Sequence, residues 1–244
     1  MSADTPTILA TSGGFTRGRR TQLGFGPLLH YAIELSGVTG RAPRVGFAGT
    51  ALGDQDSWSA LFTEAGQAAG VDVSLIKVFP MPNADDLAAL VLDQDVVWVN
   101  GGSVANLLAL WRLHGLDEVF RQAWESGVVL AGVSAGSICW HLGGTTDSFG
   151  PDLRPVTNGL GFLPYANGVH YDGEEQRRPK FHQFVAEGIL PGGYATDDGA
   201  GLVYRGTELA EAVAEIPGQA AYQVSLDDGE VREERLDTRL LPGA

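Results

Sequence analysis

The feature that most constrains the fold is a regular alternation of apolar, β-rich runs with stretches of helical periodicity over the first 140 residues. This alternation is typical of a mostly parallel central sheet with helices on both faces. The tail beyond the alternation is rich in predicted β-structure, and no linker or repeat divides residues 1–244, so we expect one α/β domain. The predicted strands are 7–11, 44–48, 73–78, 96–100 and 128–133 in the first part, with a helix near 180–187 and strands at 200–205 and 220–226 later.

Several helices are predicted from apolar stripes between these strands. One stripe contains Leu28 and Ala32, a second contains Trp58 and Phe62, and a third contains Phe120 and Trp124. We interpret these aromatic side chains as core residues. Asp227-Asp228-Gly229-Glu230 predicts a hairpin turn, because Asp-Gly favours tight turns between paired strands.

Composition narrows the class of protein. Hydrophobic residues make up 44% of the chain, which is typical of a globular protein. The net charge is −14, so nucleic acid and anionic membranes are improbable partners. Residues 1–6 contain neither a basic nor an apolar stretch, and no apolar run is long enough to span a membrane. We therefore expect a cytoplasmic protein, as a monomer or homodimer. The one cysteine, Cys139, permits no internal disulfide and is expected to be buried filler.

The last strand of the alternating part leads directly into a Gly-x-Ser-x-Gly sequence. Val128 to Val133 is followed by Ser134, with Gly132 and Gly136 two positions before and after the serine. A strand, this motif and a helix form a nucleophile elbow, in which a sharp turn exposes the serine hydroxyl. An ordinary glycine-rich turn is the alternative interpretation.

A serine nucleophile needs a base, and the chain has five histidines: His30, His114, His141, His170 and His182. His170 is the best candidate, because Asn167-Gly168-Val169-His170-Tyr171 is predicted as a strand that ends in a loop. A structural, hydrogen-bonded histidine is the alternative there, and a capping or surface role is expected for His182. The orienting acid could be Asp147, in a predicted loop at 143–148, or Asp172, Asp197 or Asp198.

Two glycine-rich turns could supply oxyanion donors. The residue after the nucleophile, Ala135, offers one backbone N–H, and Gly101-Gly102 at the end of another strand offers a second. Phosphate binding by these glycines is the rival interpretation, but neither a Walker A lysine nor a Gly-x-Gly-x-x-Gly spacing follows them. Arg177-Arg178 could bind an acidic substrate group, or form a surface salt-bridge network with Glu174 and Glu175.

Together these motifs resemble the peptidase E family of serine peptidases, which have a class I glutamine amidotransferase-like fold. The resemblance covers nearly the whole chain. It is carried by Asn100-Gly101-Gly102 with Asn106-Leu107-Leu108, by the elbow at 131–136, by Thr146-Asp147-Ser148-Phe149-Gly150-Pro151, by Gly159-Leu160-Gly161-Phe162-Leu163-Pro164, and by His170-Tyr171-Asp172 with Arg177-Arg178-Pro179.

The resemblance implies Ser134 as nucleophile, His170 as base and Asp147 as third member, with an acid at Asp197 or Asp198 as the alternative. It also implies Gly102 and Ala135 as oxyanion donors, and Arg177 or Arg178 as the group that binds an N-terminal aspartate of a dipeptide. Neither a metal nor a cofactor is expected. Two rivals are an α/β-hydrolase-type esterase or amidase and a catalytically inactive protein that keeps the fold for binding.

Overall fold

The protein is described by a computed structural model that covers residue 3 and residues 5–243. In this part of the chain the secondary structure comprises strands, α-helices and one short 3₁₀ helix at Thr50–Leu52. The strands are β1 (Thr7–Thr11), β2 (Phe15–Thr16), β3 (Gly24–Phe25), β4 (Arg44–Ala48), β5 (Asp72–Ile76), β6 (Val96–Val99), β7 (Val129–Val133), β8 (His141–Thr146), β9 (Arg154–Val156), β10 (Leu163–Gly168), β11 (Gly193–Thr196), β12 (Ala200–Arg205), β13 (Glu208–Ala214), β14 (Ala221–Asp227), β15 (Glu230–Arg235) and β16 (Thr238–Leu240). The helices are α1 (Pro27–Leu35), α2 (Asp56–Ala69), α3 (Leu87–Leu92), α4 (Val104–His114), α5 (Leu116–Glu125), α6 (Ala135–Ile138) and α7 (Arg177–Ala186).

The main sheet has eight strands in the order β16-β13-β12-β1-β7-β6-β4-β5. From β1 to β5 every neighbouring pair is parallel, and β12 joins β1 antiparallel. The mostly parallel central sheet predicted from the sequence is therefore confirmed. Three of the predicted strands, 7–11, 44–48 and 200–205, have the predicted bounds, and the others shift by one or two residues.

Helices cover both faces of this sheet because its strands carry apolar side chains on both sides. In β6, Val96 and Trp98 pack in one core cluster with α1 and α2. Val97 and Val99 pack in the other cluster, with α4, α5 and α6. The aromatic stripe residues Phe62, Phe120 and Trp124 are buried in these clusters, as predicted.

A second sheet of six strands has the order β15-β14-β11-β10-β8-β9. Its strands β8, β10 and β11 are parallel, so their carboxyl ends lie at the same edge. Residues 143–146, predicted as a loop, belong to β8 instead. Glycines at 143 and 144 suggested a turn, but they serve close backbone contacts: an added Cβ would lie 2.0 Å from the Val156 carbonyl oxygen at Gly143 and 2.2 Å from that of Asn167 at Gly144.

The β-rich carboxyl-terminal part is confirmed. Asp227 pairs with Glu230 at the end of the β14–β15 hairpin, and Asp228 and Gly229 both have positive φ angles, 50° and 83°. This is the conformation that the Asp-Gly pair favours. Helix α7 begins at Arg177, three residues before its predicted start. Within the described residues, none of the helices has the length and apolar character needed to cross a bilayer.

His141 is a fully buried histidine held in its neutral form between two neutral partners. Its Nδ1 lies 2.9 Å from the Ser137 carbonyl oxygen and its Nε2 lies 3.3 Å from the Tyr204 hydroxyl. Burial lowers the pKa of His141 from 6.5 to about 4. In the unfolded chain the ring takes up a proton at a higher pH than in the folded protein.

We expect His141 to make folding stability fall as the pH drops through the interval from 6.5 to about 4, because the unfolded state then binds more protons than the folded state. The loss amounts to about 2 kcal/mol between pH 7.5 and pH 5. Urea unfolding of wild type and His141→Gln at these two pH values measures it. The variant should lose less stability than wild type over this interval; equal losses would contradict the assignment.

Candidate active site

Ser134 lies on a sharp turn between β7 and α6, with φ 58° and ψ −113°. This conformation is uncommon for a residue with a side chain and is the one expected of a nucleophile elbow. The flanking glycines explain how the turn fits. An added Cβ would lie 2.6 Å from the Val99 carbonyl oxygen at Gly132 and 2.2 Å from it at Gly136. Both positions therefore exclude any larger residue at the crossing of α6 over β6.

The turn after β6 lies beside the serine. An added Cβ at Gly101 would lie 3.2 Å from the Cβ of Ser134. The next residue, Gly102, has φ 129°, and a Cβ there would lie 2.5 Å from the Ala51 carbonyl oxygen. Within residues 5–243, neither the Gly102 N–H nor the Ala135 N–H donates a hydrogen bond to another protein group. These two N–H groups, both named in the sequence analysis, are available to a ligand.

His170 follows β10 and is oriented by an aspartate. Its Nδ1 lies 2.5 Å from Oδ1 of Asp198. With Asp198 ionised, Nδ1 carries the proton and donates it to this hydrogen bond, which leaves Nε2 as the basic nitrogen. A histidine oriented in this way can act as a general base.

The structure pairs His170 with Asp198, the alternative acid in the sequence analysis, and not with Asp147. Both aspartates follow strands that flank β10, so both lie at the edge from which His170 emerges. The Asp147 side chain is exposed, and its carboxylate makes no hydrogen bond in the described part of the chain. The choice depends on which neighbouring loop turns toward His170, and β11 supplies that loop.

Two further residues hold Asp198 in place. The Asp198 N–H donates to Oδ1 of Asp172 at 2.8 Å, and Oδ2 of Asp172 accepts from Nε2 of Gln219 at 2.6 Å. Gly173 leaves room for the carboxylate, because an added Cβ there would lie 2.2 Å from Oδ2 of Asp198. Asp172 therefore supports the acid rather than replacing it.

Asp197, the other alternative acid, has a different environment. It is buried, and its Oδ2 accepts hydrogen bonds from the Ala220 N–H and the Tyr222 hydroxyl, both at 3.1 Å. Burial, and then the negative charge of Asp172, raise the pKa of Asp197 above its usual value. Its hydrogen bonds lead to β14 and not to His170.

The elbow and the histidine loop are attached to consecutive residues at the end of β1. The Ser134 N–H donates to the Thr11 carbonyl oxygen and the His170 N–H donates to Oγ of Ser12, each at 3.0 Å. These bonds bring Ser134 and His170 to one place in the fold. In the part of the chain that the structure describes, no hydrogen bond joins the Ser134 hydroxyl to the His170 ring; such contacts often tighten only when a substrate binds.

Arg177 is not exposed to a substrate. Its side chain is 4% exposed, Nε donates to Glu174 at 2.8 Å, and Nη1 donates to the Thr145 carbonyl oxygen at 3.0 Å. The guanidinium therefore joins the start of α7 to β8. The alternative interpretation in the sequence analysis, a salt bridge with Glu174, agrees with this placement.

Arg178 is also paired with a carboxylate. It donates two hydrogen bonds to Glu233, at 2.8 and 3.1 Å, and its guanidinium lies over the adjoining rings of Tyr171 and Tyr222. Partial burial opposes ionisation, but the hydrogen bonds to Glu233 raise the pKa of Arg178 overall. His182 binds the same carboxylate from α7 at 2.8 Å, so its position is the predicted surface one. Glu233 lies on β15, and no motif near His170 in the sequence indicates its pairing with Arg178.

Comparison with known proteins identifies the class. The family model of peptidase family S51 matches residues 9–212, so the chain belongs to this family and is a peptidase, serine-type by family. The uncharacterised peptidase YgaJ of Bacillus subtilis (strain 168) is 42% identical over 199 residues, 82% of this chain and 85% of the relative. Peptidase E of Streptomyces coelicolor is 29% identical over 180 residues, 70% of this chain and 72% of the relative.

The fold is also found among solved structures. The crystal structure of a peptidase from an acI-B1 actinobacterium matches with a TM-score of 0.64 and 18% identity, covering 98% of this chain and 96% of that one. At this identity the match supports the fold alone. The resemblance to the peptidase E family noted in the sequence is confirmed.

We expect Asp198→Asn to lower kcat for peptide hydrolysis by about 10²- to 10⁴-fold, because an amide no longer fixes the histidine tautomer or stabilises its charged form. Asp147→Asn, a matched change at the neighbouring strand end, should leave kcat within about twofold, since activity depends on groups that reach the reacting centre. Steady-state kinetics of both purified variants decide the matter. A large loss in Asp147→Asn with none in Asp198→Asn would reverse the assignment.

Proposed function

We propose that this chain is a serine exopeptidase that hydrolyses small peptides, such as dipeptides, through an acyl-enzyme formed on Ser134. The observation that carries the proposal is the arrangement of groups at the carboxyl end of β1. A serine on a strained elbow and a histidine paired with Asp198 are both hydrogen-bonded to Thr11-Ser12. A serine nucleophile, a base and an orienting acid are the groups that acyl transfer requires.

The reaction uses His170 first as base and then as acid. Nε2 of His170 takes the proton of the Ser134 hydroxyl while Oγ attacks the carbonyl carbon of the scissile peptide bond. Collapse of the tetrahedral intermediate breaks the C–N bond, and the imidazolium returns the proton to the leaving amine. Water, deprotonated by the same nitrogen, then attacks the ester carbon. The C–Oγ bond breaks, the imidazolium returns the proton to Oγ, and the carboxylic acid leaves Ser134 free.

The Gly102 and Ala135 N–H groups are the proposed donors to the oxyanion of the intermediate. Both belong to turns beside the nucleophile, and both lack protein acceptors in the described residues. Donors that are already oriented need no rearrangement when charge develops, which is why such sites stabilise the transition state strongly.

For the substrate, we propose that the site does not select an N-terminal aspartate through Arg177 or Arg178. Arg177 is buried against Glu174, and Arg178 is paired with Glu233 and lies over two tyrosine rings. An arginine already neutralised by a carboxylate loses most of its attraction for a second one. We further propose a cytoplasmic enzyme without affinity for nucleic acid, in line with its net charge of −14.

The function is tested by hydrolysis of a panel of dipeptides and of p-nitrophenyl esters. We expect wild type to cleave dipeptides, and Ser134→Ala to reduce kcat by about 10⁴-fold or more, since loss of the nucleophile leaves little residual rate. Ser36→Ala is the control for loss of a serine hydroxyl, because the Ser36 hydroxyl donates to the Ile33 carbonyl oxygen, within the end of α1. Full activity in Ser134→Ala, or cleavage of esters without any peptide cleavage, would overturn the proposal.

The selectivity is tested with two substrates that differ only in charge. We expect kcat/KM for Asp-Leu and Asn-Leu to agree within about threefold, because a free arginine would be needed for the tenfold or larger preference that a charge-assisted hydrogen bond supports. Competition kinetics with both dipeptides measure the ratio. A strong preference for Asp-Leu that disappears in Arg178→Gln would restore the aspartate-binding role of that arginine.

A further inference from the structure

Ser134 and His170 come from different sheets, so their relative position needs a connection between those sheets. Ser134 follows β7 of the main sheet, and His170 follows β10 of the second sheet. We propose that Ser12, at the end of β1, is a positioning residue whose hydroxyl holds the His170 backbone in register with the nucleophile elbow. This inference rests on the proposed function.

The Ser12 hydroxyl makes the connection both as an acceptor and as a donor of hydrogen bonds. It is 4% exposed, and its Oγ accepts from the His170 N–H at 3.0 Å. On its other side the hydroxyl lies 2.7 Å from Oγ1 of Thr196 and 3.3 Å from the Thr196 carbonyl oxygen. The same carbonyl oxygen accepts from the Tyr171 N–H at 3.1 Å. Ser12 thus links the loop that carries His170 to the strand that leads to Asp198.

The backbone of Ser12 fixes the serine itself. Its N–H donates to the Ala200 carbonyl oxygen and its own carbonyl oxygen accepts from the Gly199 N–H, both at 2.9 Å. The preceding residue, Thr11, accepts from the Ser134 N–H, and its hydroxyl donates to the Gly132 carbonyl oxygen at 3.0 Å. The last residue of β1 and the residue that follows it are therefore bonded to the nucleophile turn, to the base and to the loop of the acid.

The conformation of His170 explains why its N–H needs this partner. Its φ angle is 52°, in the left-handed region that residues with a side chain rarely adopt. Such a conformation persists only where the surroundings hold it, and the bond to Ser12 is the side-chain contact made by the His170 N–H. Without this acceptor the residue can relax, and the imidazole then moves relative to Ser134.

We expect Ser12→Ala to lower kcat by about 10-fold to 100-fold with KM within about twofold, because a displacement near 1 Å at the reacting groups has an effect of this size. The substrate is the best dipeptide of the panel above. A second readout is the rate at which a fluorophosphonate labels Ser134, where Oγ displaces fluoride from phosphorus and His170 takes the proton. Labelling should slow by a similar factor and be absent in Ser134→Ala.

Two further variants separate positioning from general damage. Ser12→Thr keeps the hydroxyl and should recover most of the lost kcat. Thr196→Val keeps the shape but removes the hydroxyl beside Ser12. It should lower kcat less than Ser12→Ala, since the Thr196 carbonyl oxygen can still accept from Ser12, and the effects of Ser12→Ala and Thr196→Val should be less than additive in the double variant. Ser36→Ala again controls for the loss of a buried serine hydroxyl.

The outcomes distinguish this inference from the proposed function. If Ser134→Ala keeps its activity, the proposed function itself fails. If Ser134→Ala is inactive while Ser12→Ala keeps kcat and labelling within about twofold of wild type, the positioning role is overturned. Loss of activity in Ser12→Ala that Ser36→Ala matches would also overturn it. Should Ser12→Ala fail to fold, Ser12→Thr and Thr196→Val decide by the same kcat and labelling criteria.

Discussion

The close crossing of α6 over β6 is the constraint on which the rest of the structure depends. Gly132 and Gly136 have no side chains to hold the backbones apart, so the chain can turn sharply at Ser134. That turn ends the parallel alternation and sends the chain directly into β8, the first strand of the second sheet. The same geometric requirement thus exposes a serine hydroxyl and begins the sheet that supplies His170 and Asp198.

Joining two sheets at a catalytic centre imposes a second requirement, because each sheet has its own strand register and the two share a hydrophobic core cluster. Hydrophobic packing between them is not directional and does not fix a histidine relative to a serine to within a fraction of an ångström. Directional bonds at the junction do so. The end of β1 provides them through the Thr11 carbonyl oxygen and the Ser12 hydroxyl, and the positive φ angle of His170 shows that the loop is held away from its relaxed conformation.

Whether a feature could be predicted from the sequence depends on how far apart in the chain its interacting residues lie. The parallel strands, the elbow and the Asp228-Gly229 hairpin depend on neighbouring residues, and the structure contains all three. The choice of Asp198 over Asp147 at His170 depends on contacts between strand ends, which no local pattern records. Gly143 and Gly144 predict a loop in the sequence because glycine marks both turns and close backbone contacts, and only the neighbouring strands β9 and β10 distinguish the two.

The same difference between local and long-range interactions separates the general chemistry of the site from its substrate selectivity. The elbow, the N–H groups of Gly102 and Ala135, and the histidine–aspartate pair depend on backbone geometry, which a family of related chains can share while side chains change. Recognition by Arg177 or Arg178 depends instead on whether a guanidinium is free, and here Glu174 and Glu233 occupy both. The second of these carboxylates lies 55 positions beyond its arginine in the sequence. A motif that carries an arginine therefore identifies the family without identifying the substrate, because the partner of that arginine comes from a distant strand.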